Sequence, residues 1–568
     1  MIECDQTQKE GLMLGKKVKA VVAVLATLGL SLSVGACSST SGDASNESES
    51  LTIAKPDGAV GAQNNNPFIA DASGVKLGYA YAIYEPVGIV DLVDPSREVV
   101  PWLASKIEWS DDYTSVKLTA RTDVKWNDGK DFSADDIAFT YQMLIDYPAL
   151  DNTALGLEKV EENGDVVTLT FKSSAFSKLD KVLHKSIVPK HVWEKEDDPT
   201  SFKNENPVGT GPYTLKQFSS ESVVLTARND YWGGGIAAKT LYYMSYNDNT
   251  ALTNALASGD VDWAQIFIPS IQSAYLDKDK EHNKYWAPAV LSADVMFMNV
   301  TKKPFNDPAF RQAMNLVVDR EKHAKIAREG AIPVIESITG LPQPAGDDFI
   351  LDEYKDKTVS VDISGAKKIL TDAGYTYQDN QLIDKDGQPV KFEISVPQGW
   401  TDYVTGISLI ADEVKAIGVE AVVKTPDVDT WYDDIAKGNF DAMLHWTDTA
   451  PTPYDFYSDI MDGRFLKSIG EDATYNFGRY DNKDVTEALN EYATASDDSA
   501  RTKALKIIQE AYVNDVPAIA VGARPLTSEY NTRKFTGWPD DSDPYVAADP
   551  TFQTTSYLLT KLKPVNKN

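Results

Sequence analysis

Apolar and polar residues follow two periods along this chain, and the switches between them mark its elements. Around Leu51, "SLTIAK" reads as a first strand. "DYTSVKLTARTDVKW" alternates with period two, as a strand with one buried face does, and "NDG" at Asn127–Gly129 then supplies a tight turn. "FSADDIAFTYQMLID" follows with helical periodicity, and Ser133 and Asp136 stand at capping-box spacing. Asp135 and Asp136 are adjacent acids, but at a helix start they complement the positive end of the macrodipole rather than form a catalytic pair. "VEENGDVVTLTF" predicts a hairpin across Asn163-Gly164, and "LIDKDGQPVKFEISV" another across Asp386-Gly387. The second superficially resembles a calcium loop but lacks the downstream acid spacing. "DPAFRQAMNLVVDREKHAKIA" and "ARTKALKIIQEAYVND" carry helical periodicity. Mixed signals without an internal repeat predict an α/β protein.

One apolar run fits none of these elements. Ala20 to Ala36 follows Lys16, Lys17 and Lys19 and ends in small residues, the pattern of a secretory signal peptide over 1–36. Val34-Gly35-Ala36-Cys37 resembles a bacterial lipobox, with Val34 where Leu is commoner, and makes Cys37 the expected lipid attachment site. Met13 is the expected true start, because "MIECDQTQKEGL" mixes acids into what should be a basic head. Residues 37–50 lack core-forming side chains and read as a flexible lipid-anchored tether.

Composition narrows the function. The chain has 568 residues, 42% hydrophobic and 10% aromatic, enough for more than one packed core. Its net charge of -30 argues against nucleic acid and suits a surface outside the cell. Of two cysteines, Cys4 precedes the expected start and Cys37 is the expected anchor, which leaves no disulfide. There is no G-x-S-x-G, H-E-x-x-H, C-x-x-C or Walker A pattern. The five histidines are scattered; His184 and His191 are seven apart and predict no metal site. No cofactor is expected and no catalytic residue is assigned. A secreted glycosidase is the enzyme alternative, since two carboxylates could come from any of 85 acids.

Several segments, in order, resemble the family 5 extracellular solute-binding proteins of ABC importers. They are "LASKIEWSDDYTSVKLTARTDVKWNDGKDFSADDIAFTYQML", "NPVGTGPYTLKQF", "ALTNALASGDVDWAQI", "PFNDPAFRQAMNLVVDREK", "DISGAKKILTDAGY", "GISLIADEVKAIGVEAVV", "GNFDAMLHW" and "ALKIIQEAYVNDVPAIAV". Val208-Gly209-Thr210-Gly211-Pro212-Tyr213 is the most specific: two glycines and a proline fix a turn where the chain enters a strand. The resemblance implies a two-lobed periplasmic-binding-protein-like fold, type II in its large three-domain variety, with a hinge and an interlobe ligand cleft. It implies domain I from 51–80, 205–290 and 515–568, domain II from 81–204 and domain III from 291–514. It further implies a non-enzymatic monomer that captures a nutrient by lobe closure and delivers it to permease subunits. The expected place is the outer face of the cytoplasmic membrane, or the periplasmic space if the cell has an outer membrane.

The family name does not choose the ligand. Peptide-binding members hold the peptide's ammonium with an Asp three residues after a Trp, followed by Asp-Pro. Here "HWTDTAPTPYDFY" matches at Trp446 and Pro453, but Thr449 stands at the anchoring position and Asp448 one residue early. A one-residue shift in extended chain turns a side chain to the opposite face. With 11 Trp and 27 Tyr the chain is rich in flat apolar faces suited to sugar rings. "PQGWTDY" around Trp400 and the Trp446 stretch resemble the family's branch that binds β-linked oligosaccharides. An oligosaccharide and an oligopeptide both stay open, with the sugar preferred. The expected ligand-binding residues are Trp400, Trp446, Asp448, Thr449, Tyr454, Asn66 and Phe267.

Overall fold

Residues 49–56, 61–95 and 97–565 are described by the computed structural model. The apolar run and Cys37 lie outside them; among the described residues no helix is long and apolar enough to cross a membrane. The described chain is organised by two large sheets.

Ser50–Lys55 is the first strand, as its pattern predicts, and lies at the centre of a seven-stranded sheet. It runs parallel to Thr240–Ser245 on one side and Trp263–Ala264 on the other. Tyr213–Phe218 and Ser222–Ala227 extend one edge; Ser528–Asn531 and Asn283–Trp286 extend the other. A second, four-stranded antiparallel sheet is built from Ala104–Trp109, Ser115–Ala120, Val166–Phe171 and Leu157–Asn163. Helix Ala134–Asp146 packs on it, opened by the expected capping box: Ser133 N–H donates to Asp136 Oδ2 at 3.1 Å. Leu51, Ile53 and Leu225 of the large sheet join Val116 and Leu118 of the small one and Ile137 of its helix in a single core. The two sheets therefore form one lobe.

Gly209 and Gly211, in the segment singled out by its turn residues, press against the Ile83 carbonyl. A Cβ at either position would stand 2.0 Å and 2.6 Å from that oxygen, so both need glycine.

The second lobe is a five-stranded sheet in the order Glu420–Lys424, Lys391–Ser395, Ala442–Trp446, Ala293–Met298, Ala518–Ala523. Both faces are covered. Val295, Phe297 and Met443 enter one core, while Met296, Met298 and Leu444 enter the other. Strands buried on both faces read as continuous apolar runs, and for that reason Ala293–Met298 and Ala518–Ala523 show no alternation in the sequence.

Two expected elements are corrected. The turn at Asp386-Gly387 forms, with Gly387 at φ 78° and Asp384 N–H bonded to the Gln388 carbonyl at 2.8 Å. The hairpin is short: Ile383 pairs antiparallel with Pro389 and Val390 N–H donates to the Leu382 carbonyl at 2.9 Å, after which Lys391–Ser395 runs parallel to Glu420–Lys424. The run from Pro308 is also broken, into helix Pro308–Asn315, a short helix Arg320–Lys322 started by Asp319, and a π-helical turn His323–Ala327.

The main chain crosses between the two large sheets at 287–292 and at 524–527, and the two crossings are bonded together. Arg524 N–H donates to the Ser292 carbonyl at 2.9 Å, and Leu526 N–H to the Pro288 carbonyl at 3.2 Å. Val290, Leu526 and Ala547 form a small core between them. The expected boundary at 514/515 moves to Arg524, since Ala518–Ala523 pairs with Ala293–Phe297 in the second lobe's sheet.

Candidate ligand-binding cleft

A cavity of about 460 Å³ lies between the lobes at this double crossing. The first lobe contributes Phe68, Tyr81, Lys181, Lys185 and Gln265; the second contributes Trp446, Asp448, Thr449 and Arg524. Trp446 is the last residue of strand Ala442–Trp446, so its backbone is fixed by the sheet while Asp448 and Thr449 follow in the loop. Behind it, the His445 ring stacks on the Trp446 indole at 4.2 Å between centroids, and Trp431 stacks on His445 at 5.6 Å. The guanidinium of Arg524 lies 4.6 Å from the Trp446 ring centroid.

Of the residues expected from sequence, Trp446, Asp448 and Thr449 are brought together on this cavity. Trp400 is not on its wall. It packs behind Trp446 at 5.7 Å and is edged by Tyr403 and Trp431, so it supports the platform rather than forming it. Asn66 is buried with its amide bonded to the chain itself: Nδ2 donates to the Pro199 and Phe202 carbonyls and Oδ1 accepts from Phe68 N–H. Tyr454 is buried beside Tyr492, its hydroxyl accepting from Arg464 at 2.6 Å. Phe267 lies under the guanidinium of Arg328, 5.7 Å from its ring centroid. Residue type in a loop is a weak signal for a ligand contact, because most such aromatic and polar side chains are bonded within the protein. Lys181, Lys185, Gln265 and Arg524 line the cavity without being expected from sequence. Arg524 had one legible signal, a lone cation at the end of an apolar strand directly before Pro525.

The cleft's electrostatics are set by burial. Lys181, on helix Leu179–Leu183 of the first lobe, pairs across the cleft with Asp455 on helix Tyr454–Met461 of the second. Burial alone would lower the Lys181 pKa, but Asp455, Asp180 and Asp448 outweigh it and hold the ammonium charged. Burial raises Asp455, a rise that Lys181 opposes; burial, then Asp448 and Asp455, raise Asp459 well above the usual carboxylate range. Asp459 Oδ2 accepts the Asp448 N–H at 2.7 Å, and Asp448 Oδ2 accepts the Tyr475 hydroxyl at 2.8 Å. Burial also pushes Asp180 up to about 7 and Lys185 down to about 8. His184 falls to about 4 by burial and accepts from Val90 N–H at 2.9 Å, which makes it a neutral structural group. His191 pairs instead with Asp128 at 2.7 Å.

A second interlobe contact lies near Phe267. Arg328 forms ion pairs with Asp294 and Asp402, and the Tyr403 hydroxyl donates to Asp294. Its guanidinium is 4.9 Å from the Tyr403 ring centroid, with Phe267 of the first lobe also against it. Next in sequence, Glu329 accepts the Ser270 N–H of the first lobe.

Comparison with known proteins agrees with this architecture. The model of bacterial extracellular solute-binding proteins, family 5 middle region, matches residues 98–465. The chain is 27% identical to Protein XP55 of Streptomyces lividans over 434 residues, 74% of this chain and 76% of that protein. It is 26% identical to the oligopeptide-binding protein AppA of Bacillus subtilis over 440 residues, 73% of this chain and 76% of that one. Among solved structures, the mannohexaose-bound periplasmic oligopeptide-binding protein of Thermotoga maritima superposes with a TM-score of 0.79 at 25% identity, covering 91% of this chain and 99% of that one. AppA of Bacillus subtilis with a nonapeptide gives 0.73 at 21%, with the same coverage. With two lobes, a double crossing and a cleft between them, the chain belongs to the bacterial extracellular solute-binding proteins of family 5 and has their two-lobed periplasmic-binding-protein fold.

Proposed function

We propose that this protein captures an extracellular oligomeric nutrient by closing its lobes and delivers it to an ABC permease, with an oligosaccharide preferred over an oligopeptide. The observation that carries the preference is the ion pair between Lys181 and Asp455. A peptide site needs a buried carboxylate waiting for the ligand's ammonium. Here the chain's own ammonium already stands among the carboxylates next to Trp446, and Thr449 supplies a neutral hydroxyl. A sugar needs what remains: an aromatic residue, amides such as Gln265 and hydroxyls. The mannohexaose-bound relative at 25% identity supports the same preference. Binding followed by hinge motion breaks no bond, and the role is non-enzymatic.

Native mass spectrometry of the fresh protein, followed by calorimetric titration with β-linked oligosaccharides and with mixed peptides, tests this reading. The expected result is saturable sugar binding with the sugar recovered intact. Trp446→Ala should weaken it on the order of tenfold, because it removes the ring that holds the Arg524 guanidinium at the cavity wall. Trp400→Ala should lower the melting temperature more than the affinity. Saturable binding of peptides alone, lost on acetylating their amino termini, would overturn the sugar preference; release of shortened sugar would overturn the binding role.

We also propose Cys37 as the lipid anchor, from the lipobox-like segment that ends there. Two acyl chains hold a protein at a membrane stably where one does not. Cys37→Ala should move the protein from the membrane fraction to the medium or leave an uncleaved precursor. A processed Cys37→Ala protein still held at the membrane would refute the anchor.

A further inference from the structure

We propose that the ligand carries a carboxylate and that Arg524 binds it. The inference rests on the capture role above and names the ligand's charge.

The chain as a whole is strongly acidic, at -30. The cavity wall carries four cationic side chains and three carboxylates, with Asp455 and Asp459 buried beside them. The cations differ in what already occupies them. Lys181 is paired with Asp455, and Lys185 stands 3.8 Å from Asp151 and 3.3 Å from the Asn152 side-chain oxygen. Arg524 makes no ion pair and no side-chain hydrogen bond among the described residues. Its neighbour is the Trp446 ring, whose centroid lies 4.6 Å from the guanidinium carbon, a contact that uses none of its five N–H donors. A half-buried guanidinium held over an aromatic ring, with its donors unspent, is prepared for a planar anion that takes two hydrogen bonds at once.

The acids on the same wall compete weakly for it. Asp448 accepts the Tyr475 hydroxyl, Asp549 accepts Thr551 through both N–H and hydroxyl, and buried Asp180 has a pKa of about 7. Position adds a consequence. Arg524 is the first residue of the second crossing, and its N–H is bonded to Ser292 on the first. An anion held there sits at the floor of the cleft, on the segment about which the lobes would turn.

A carboxylate on an oligomer has two sources, an acidic sugar or a peptide's carboxyl terminus, and four probes separate them. They are a neutral β-linked trisaccharide, the same trisaccharide ending in a uronic acid, a tripeptide with a free carboxyl terminus, and its carboxyl-terminal amide. Each is titrated into the parent protein, Arg524→Gln and Arg524→Lys, with melting curves of the free proteins as the folding control. In one of the pairs, the acidic member should bind the parent protein at least about tenfold more tightly than the neutral one. That advantage should vanish in Arg524→Gln and return in part in Arg524→Lys. If the peptide pair shows it, the carboxylate inference stands and the sugar preference falls. Equal binding of acidic and neutral members by the parent protein, which needs no variant, would overturn the inference and leave the capture role standing. An acid preference that survives in a folded Arg524→Gln protein would also overturn it. Binding of none of the four would count against both.

Discussion

Replacing Arg328 with Met should destabilise the second lobe by ~3–5 kcal/mol at neutral pH, because the change leaves Asp294 and Asp402 buried against each other with no counter-charge. Asp294 is fully buried and Asp402 nearly so, and neither can turn to water without moving the sheet or helix that carries it. Burial, opposed by Arg328 and reinforced by Asp294, already holds the Asp402 pKa above its ordinary value. Without the arginine that rise grows. The sign follows: a carboxyl whose folded pKa is raised costs stability above its ordinary pKa, and the cost disappears as acid protonates it. Arg328→Met should therefore melt several degrees below the parent at pH 7.5 and approach it near pH 5. Phe267→Ala removes only the apolar contact from the first lobe and should cost less. Thermal melting at the two pH values decides the matter, and an Arg328→Met transition within about one degree of the parent at pH 7.5 would refute this reading of the cluster.

Lys181→Met should spare the stability of the free protein and strike its affinity. The ion pair joins a helix of the first lobe to a helix of the second, so it is made when the lobes are together. On the proposed capture mechanism, parting of the lobes would give Asp455 and Asp459 access to water. With the lobes together, as in this structure, they are buried beside Asp448, and without Lys181 nothing positive faces them at hydrogen-bond distance among the described residues. Leaving one side of a buried pair unmatched costs several kcal/mol, which converts to an affinity loss on the order of a hundredfold. The loss should be largest at pH 8 and shrink toward pH 5, since both acids have raised pKa values in the closed form and take up protons first. Calorimetric titration at both pH values with whichever β-linked oligosaccharide or peptide binds the parent protein saturably tests it. An unchanged affinity at pH 8 would mean that the ion pair has no part in closure.

Local pattern was legible wherever one face of an element meets water. Ser50–Lys55, the capping box at Ser133 and the turn at Asn163-Gly164 follow from side-chain period, cap chemistry and the φ of 60° that Gly164 adopts. Ala293–Met298 and Ala518–Ala523 are not legible in this way, because a strand covered on both sides has no polar face to alternate with. The second crossing is hidden for the same reason, since it falls where one such strand ends.

The candidate site divides the same way. Trp446, Asp448 and Thr449 were found because they are consecutive or nearly so, and one strand end delivers them to one wall. The four residues from the other lobe or the hinge that complete the cleft are remote in sequence: Lys181 meets Asp455 across 274 positions. Trp400 and Trp446 look alike in sequence, and only packing decided that one backs the other. Asn66 and Tyr454 look like ligand contacts until the structure shows their polar atoms bonded within the protein. The sequence by itself determined the family, the α/β mixture and the acidic exterior, since these rest on residue order and composition. Which side chains face the cleft, and which charges there remain unmatched, was decided by the tertiary structure, because hydrogen bonds and ion pairs between distant segments exist only once the lobes are assembled.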